Sequence, residues 1–205
     1  AQTAETWRKG LAQWGQEPER IARFRNSVEM AIYTPGSTAG LPLSVLGSFS
    51  APPATLRADA DLYRQHISGV VTGLLTLVGI DANPVDSREH ILLSSVLDHQ
   101  WQQGRNLDLG GLIGAIQNPG LGKIGVLDLE SFYPSKDRFA LAMRLNNLLA
   151  APGFQAWTQG APLDAGTLLF TADGRPRVSI MSIAHLGDAE RMFFVTLLLN
   201  EIVAW

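Results

Sequence analysis

Three stretches of this chain carry residue types that could do chemistry. Tyr33-Thr34-Pro35-Gly36-Ser37-Thr38-Ala39-Gly40 is glycine-rich and follows a short apolar run. That is the setting of a phosphate-binding loop, in which exposed backbone N–H groups cradle an anion. The Lys-Ser/Thr pair of such loops, and a helix directly after it, are missing, so a plain connecting loop is the favoured reading. Ile124-Gly125-Val126-Leu127-Asp128-Leu129-Glu130 has the form of a hydrophobic strand ending in an acid, a pattern that can hold Mg²⁺. Gly125 weakens that strand and no phosphate loop precedes it, so a turn or helix entry is expected instead. The third stretch is His185-Leu186-Gly187-Asp188, at the C-terminal end of the last expected strand, where open α/β sheets place ligands. Arg191 follows on the first turn of the last expected helix, where a cation opposes the helix dipole. A salt bridge to Asp188, Glu190 or an unseen neighbour would account for it. So would a contact to phosphate across a subunit boundary.

The histidines, His66, His90, His99 and His185, show no metal-ligand spacing and no HExxH. Glu89-His90 and Asp98-His99 fall on one expected helix but point in different directions, and each His is expected at the surface or in a cap. A Gly-x-Ser-x-Gly elbow is absent, so an esterase is unsupported. Arg138 and Arg144 share one segment, but without clustered cations or interleaved aromatics they do not specify nucleic acid.

The elements that must position these residues follow from periodicity. Thr6 to Val28 has helical spacing, with Pro18 as a kink or break. Met30 to Thr34 is strand-like and stops at Pro35-Gly36. Ser37 to Ala54 is loop, with a short extended piece at Leu43 to Leu46. Helices are expected over Ala58 to Val78, from Asp86 or Ser87 through Trp101, over Asp108 to Ile116, and from Ser135 to Leu149. A strand at Thr167 to Thr171 and a turn at Ala172-Asp173-Gly174 lead to the last strand, Val178 to Ile183, as a plausible antiparallel hairpin. Asp188 is the expected N-cap of a final helix that is apolar nearly all round and needs cover on several sides. That helix has no stop signal before Trp205, and the chain begins with Ala1. Both suggest a piece of a larger protein.

Bulk properties narrow the function classes. The 205 residues are 46% hydrophobic and 17% charged, the latter below the usual quarter. A net charge of −3 supplies no field toward nucleic acid or anionic membrane, and 13 of the 16 cationic residues are scattered arginines. No cysteine is present, which excludes disulfides, Cys–zinc sites and thiol chemistry, and agrees with a cytoplasmic location. The longest uncharged apolar stretch, Ile67 to Ile80, is too short for a membrane span. Strands near both ends with helices between them give an α/β, mostly helical fold.

Four segments carry a family resemblance: AIYTPGSTAGLPLSVL (31–46), SREHILLSSVL (87–97), KDRFALAMRLNNLLAAPGFQAWTQGAPLD (136–164) and RVSIMSIAHLGDAERMFFVTLLLNEIVAW (177–205). They resemble bacterial P-loop ATPases of the HerA/FtsK-type superfamily, which includes TraG-like secretion motors. The resemblance implies a partial P-loop NTPase sheet with a large all-α insertion. Residues 1–50 and 165–205 would form part of the ATPase core, and 51–164 the helical insertion. It places the Walker A loop upstream of Ala1 and the Walker B strand downstream of Trp205. ATP and Mg²⁺ would then be cofactors of the parent protein, and neither would bind tightly to this segment alone. The family assembles as rings, commonly hexamers, and moves DNA or protein, so self-association with DNA or a secretion partner is implied. Arg191 lies on the family's Arg-bearing helix and is the candidate trans-acting arginine. Two other readings stay open: a non-enzymatic assembly module, and a small-molecule enzyme using the loop at His185.

Overall fold

A computed structural model describes residues 2–205, apart from the side chain of Leu46. The chain is mostly helical, and its strands are few and short. Helix α1 (Gln2–Gln13) turns into α2 (Pro18–Ser27). Pro18 opens the second helix rather than kinking one, because its missing N–H is harmless in a first turn. Strand β1 (Glu29–Tyr33) is followed by β2 (Leu43–Ser44), a 3-10 turn at Leu46–Phe49, and α3 (Ala54–Ala58).

Side-chain caps then set three successive helix starts. Asp59 accepts from the N–H groups of Asp61 and Leu62 to open α4 (Ala60–Leu77). Ser87 accepts from His90 N–H to open α5 (Arg88–Gln102), and Asp108 accepts from Gly111 N–H to open α6 (Leu109–Gln117). A tight antiparallel hairpin, β3 (Lys123–Ile124) and β4 (Leu127–Asp128), leads into α7 (Leu129–Phe132) and α8 (Ser135–Ala150). A 3-10 segment (Pro152–Thr158), β5 (Ala161–Pro162), α9 (Ala165–Leu169), β6 (Arg177–Met181) and α10 (Asp188–Ala204) complete the order.

Several expectations are corrected. Thr167–Leu169 belongs to helix α9, not to a strand; five residues are too few for periodicity to separate the two. The expected antiparallel hairpin shrinks to one bridge between Phe170 and Pro176, and β6 pairs with β1 instead. Glu29 N–H donates to Pro176 O, and Ser182 N–H donates to Tyr33 O. Residue numbers rise together along the pair, which is the parallel sense. The cap of α10 is Gly187, whose N–H donates to Glu190 Oε2 at 2.9 Å, so Asp188 is the first helical residue and not the cap.

The chain divides into two compact units, residues up to Ala31 with Gly166–Ile180, and Ile32–Ala165 with Met181–Trp205. In the first unit, α1 and α2 bury no residue; Trp7, Trp14 and Phe24 stand in solvent. Arg177 holds Glu29 through Nη2 at 2.8 Å and Nε at 3.1 Å.

The second unit has the substantial core. Helix α4 packs on α10 and α5, and α6 packs on α8. Leu74, Leu75, Leu92, Leu93, Val96, Leu97 and Trp101 are sealed from water. Trp157 gathers Phe154, Phe193 and Phe194 around it, with ring centroids 5.9–6.4 Å apart. Helix α10 buries Phe193, Phe194 and Leu197, while Met192, Leu199, Ile202 and Val203 on its other sides are exposed. Among the described residues no helix is long and apolar enough to cross a membrane.

Candidate functional site

The loops leaving β1 and β6 lie side by side within the second unit. His185 Nε2 is 2.9 Å from Pro35 O, and this bond joins the glycine-rich loop to the loop before α10. Trp157 supports the glycine-rich loop from below. Gly36 adopts φ +69°, and a Cβ there would lie 2.6 Å from the Trp157 ring, so this glycine lets the loop sit on the core.

Most N–H groups of that loop are already engaged internally. Thr34 N–H donates to Leu41 O, Ser37 N–H to Thr34 O, Ala39 N–H to Ser37 Oγ, and Gly40 N–H to Thr34 Oγ1. A phosphate cradle needs such groups free and convergent. Thr34 Oγ1 stabilises the loop from within, donating to Ser37 O and accepting from Gly40 N–H, each at 3.0 Å.

Arg191 is clasped to its own loop. Nη1 lies 3.3 Å from Asp188 Oδ1, and Nη2 donates to Leu186 O at 2.9 Å. The side chain is 43% exposed, and Asp188 is 98% exposed, so the pair is well solvated. Exposed pairs of this kind contribute little to stability. Arg191→Ala is therefore expected to change unfolding free energy by less than about 1 kcal/mol, read from urea melts. A larger loss would mean that Arg191 is a structural clamp.

The Ile124–Glu130 stretch does not form the metal-holding strand whose pattern it shares. Gly125 and Val126 are the turn of the β3–β4 hairpin, and Val126 is 89% exposed. Asp128 reaches across to Lys123 at 4.0 Å. Glu130 is an end-cap for α8: Oε1 accepts Ser135 N–H at 2.8 Å, and Oε2 accepts Arg138 Nη1 at 3.1 Å. The Ser135 backbone bond, aided by Arg138, holds its carboxyl below the usual range. Arg138, read from the sequence as one of two arginines on one segment, is buried. It also donates to Tyr133 O at 2.7 Å and Gln117 O at 3.4 Å, tying three segments together. Nothing in its spacing marked it, because a buried Arg is defined by long-range carbonyls.

Two of the expected surface histidines are core residues instead. His66 is 6% and His90 3% exposed, and burial pushes both below the ordinary imidazole value. His90 is satisfied by Thr72 Oγ1 and Ser94 Oγ, each 3.2 Å from one ring nitrogen. His99 is half-buried beside Gln103, and His185 is exposed. Among the described residues no group of three His, Cys, Asp or Glu side chains could hold a metal ion. A shallow cleft of about 930 Å³ runs between α4 and α5, lined by Arg57, Tyr63, Arg64, Ser94 and Asp98.

No family model, curated protein or solved structure matches this chain.

Proposed function

We propose that this chain is a segment of a HerA-like P-loop ATPase, taken from between the phosphate-binding loop and the Mg²⁺-holding strand. The observation that carries the reading is the β1–β6 pair: strands far apart in sequence, bonded in the parallel sense, with a helical block between them. That is how an α/β sheet with an all-α insertion is built. Met30, Ile32, Val178 and Ile180 on this pair are exposed, as they would be where further strands or helices of a larger sheet belong. The four segments with family resemblance include all of β6 and the last three residues of β1.

In the parent protein ATP and Mg²⁺ would be held by the flanking motifs, in a cytoplasmic ring that moves DNA or a secreted protein. Arg191, solvated at the start of α10, would reach the nucleotide of a neighbouring subunit. The 205 residues alone are expected to show no MgATP turnover and no thermal shift with ATP, whereas the product of the complete gene shows both. In that product Arg191→Ala should lower turnover by about 1,000-fold or more, the scale of a trans-acting arginine. Turnover by the 205 residues, abolished by Asp128→Asn, would sink the proposal. So would a gene lacking a Walker A motif upstream and a hydrophobic strand ending in Asp-Glu downstream.

The assembly-module reading draws on a different observation. The α1–α2 hairpin leaves Trp7, Trp14 and Phe24 in solvent, and Trp7, Leu11 and Ile21 line a groove of about 660 Å³. Apolar patches of this sort mark interaction surfaces.

A further inference from the structure

The groove of the first unit is walled by two helices whose apolar stripes converge on it. Trp7 and Leu11, one helical turn apart on α1, line it together with Pro18 and Ile21 of α2. Trp7 is 69% and Ile21 44% exposed, so these stripes have no cover. The charged lining is Arg8 from one wall and Arg25 from the other, with no carboxylate. Among the described residues neither arginine makes an ion pair. Glu5 of α1 is taken by Lys9 at 3.3 Å and stays outside the groove. The slot is therefore apolar along its walls and positive at its polar positions.

We propose that this groove docks an amphipathic helix of a partner protein whose flanks carry Asp or Glu. Its apolar stripe would lie on Trp7, Leu11 and Ile21, and its carboxylates would meet Arg8 and Arg25. This gives the assembly-module reading its partner chemistry; it rests on that reading and stands apart from the ATPase one. Two converging helical stripes leave the space that a third helix fills. Helix α1 has 12 residues, roughly 18 Å, so the guest needs about three turns with anchors at i, i+3 or i+4, and i+7. An extended peptide finds no sheet edge to join, because both walls are α-helices. A bilayer favours one continuous apolar face. Phe24 departs from that face and lines a separate hollow with Arg20 and Arg23.

The probe is a labelled, lactam-bridged peptide of about 14 residues, with leucines at the anchor positions and glutamates beside them; the bridge keeps so short a helix folded. Its fluorescence anisotropy is followed while the intact 205-residue chain is added. A twin with lysine at each glutamate is the control. Saturable micromolar binding of the acidic peptide is expected, about tenfold or more tighter than that of the twin. Trp7→Ala should weaken it about tenfold or more, as loss of an aromatic anchor does. Arg8→Gln combined with Arg25→Gln should erase the preference over the twin and flatten the salt dependence. All three side chains are exposed, so these changes leave the fold intact. Equal binding of both peptides would overturn the acidic partner while keeping the hairpin as a docking surface. Binding of neither would overturn docking at this hairpin altogether. Partition into phosphatidylcholine–phosphatidylserine vesicles without peptide binding would overturn the proposal in favour of a membrane surface. Self-association that Trp7→Ala abolishes, again without peptide binding, would overturn it in favour of a second copy of the chain.

Discussion

Replacing Trp101 by alanine is expected to destabilise the chain by about 3–5 kcal/mol, the range for truncating a buried Trp. The side chain is fully buried, and its ring touches two other elements. Nε1 donates to Phe49 O at 2.8 Å, which anchors the 3-10 turn to α5. Tyr63 and His66 of α4 pack against it as tilted rings, with centroids at 6.3 and 5.5 Å. Its own carbonyl accepts Arg57 Nη1 from α3 at 3.2 Å, a backbone contact that survives any substitution. Trp101→Phe separates the contributions: most of the apolar packing remains, but Phe49 O loses its donor, at a cost of about 1–3 kcal/mol. Urea unfolding followed by far-UV circular dichroism reads both variants. A Trp101→Ala loss below about 1 kcal/mol would show that the α4–α5 core collapses around the gap.

Local signals in the sequence were legible where one residue acts on its near neighbours. The pair Asp86 and Ser87, of which Ser87 is the cap, and Asp108 announced α5 and α6, because a cap is a contact three residues long. Gly125 argued against a strand through Val126, and the β3–β4 turn stands there. Periodicity failed where the element was shorter than its own period, as in α9. It also could not choose between the local Phe170–Pro176 pairing and the distant β1–β6 pairing, because a ladder partner is not encoded within the strand.

The histidines failed for another reason. His66 and His90 are buried against Trp101, Thr72 and Ser94, and spacing does not reveal whether a polar ring will find partners inside. Arg191 is the opposite case: Asp188, three residues before it, was visible from the start, and the pair forms. What a phosphate-reading Arg191 would require lies on another chain.

Gly160→Ala is expected to be the most damaging single-methyl change, at about 2–5 kcal/mol from left-handed strain and overpacking together. Gly160 has φ +93°, a conformation that side chains with a Cβ avoid. An added Cβ would fall 2.1 Å from Pro42 O and 2.5 Å from Pro42 C. Those atoms are backbone, so no rotamer change relieves the overlap. The only relief is to separate the chain at Pro42 from the chain at Gly160. That separation would break the adjoining parallel pairing of Leu43 with Ala161 and Ser44 with Pro162. The damage would not stay local. Leu163 N–H donates to Ser44 O, and Val45 N–H to Trp157 O, so the same movement pulls on the aromatic cluster under the glycine-rich loop. Gly36 rests on that cluster through Trp157, and Pro35 beside it holds His185. Gly160→Ala should therefore lower the melting temperature and also speed amide exchange at Gly36 and at His185. Gly153→Ala, at a glycine whose Cβ would meet nothing within 4 Å, is the control and should leave both readouts near wild type. Equal behaviour of the two variants would show that β2 and β5 can part without disturbing the loops they support.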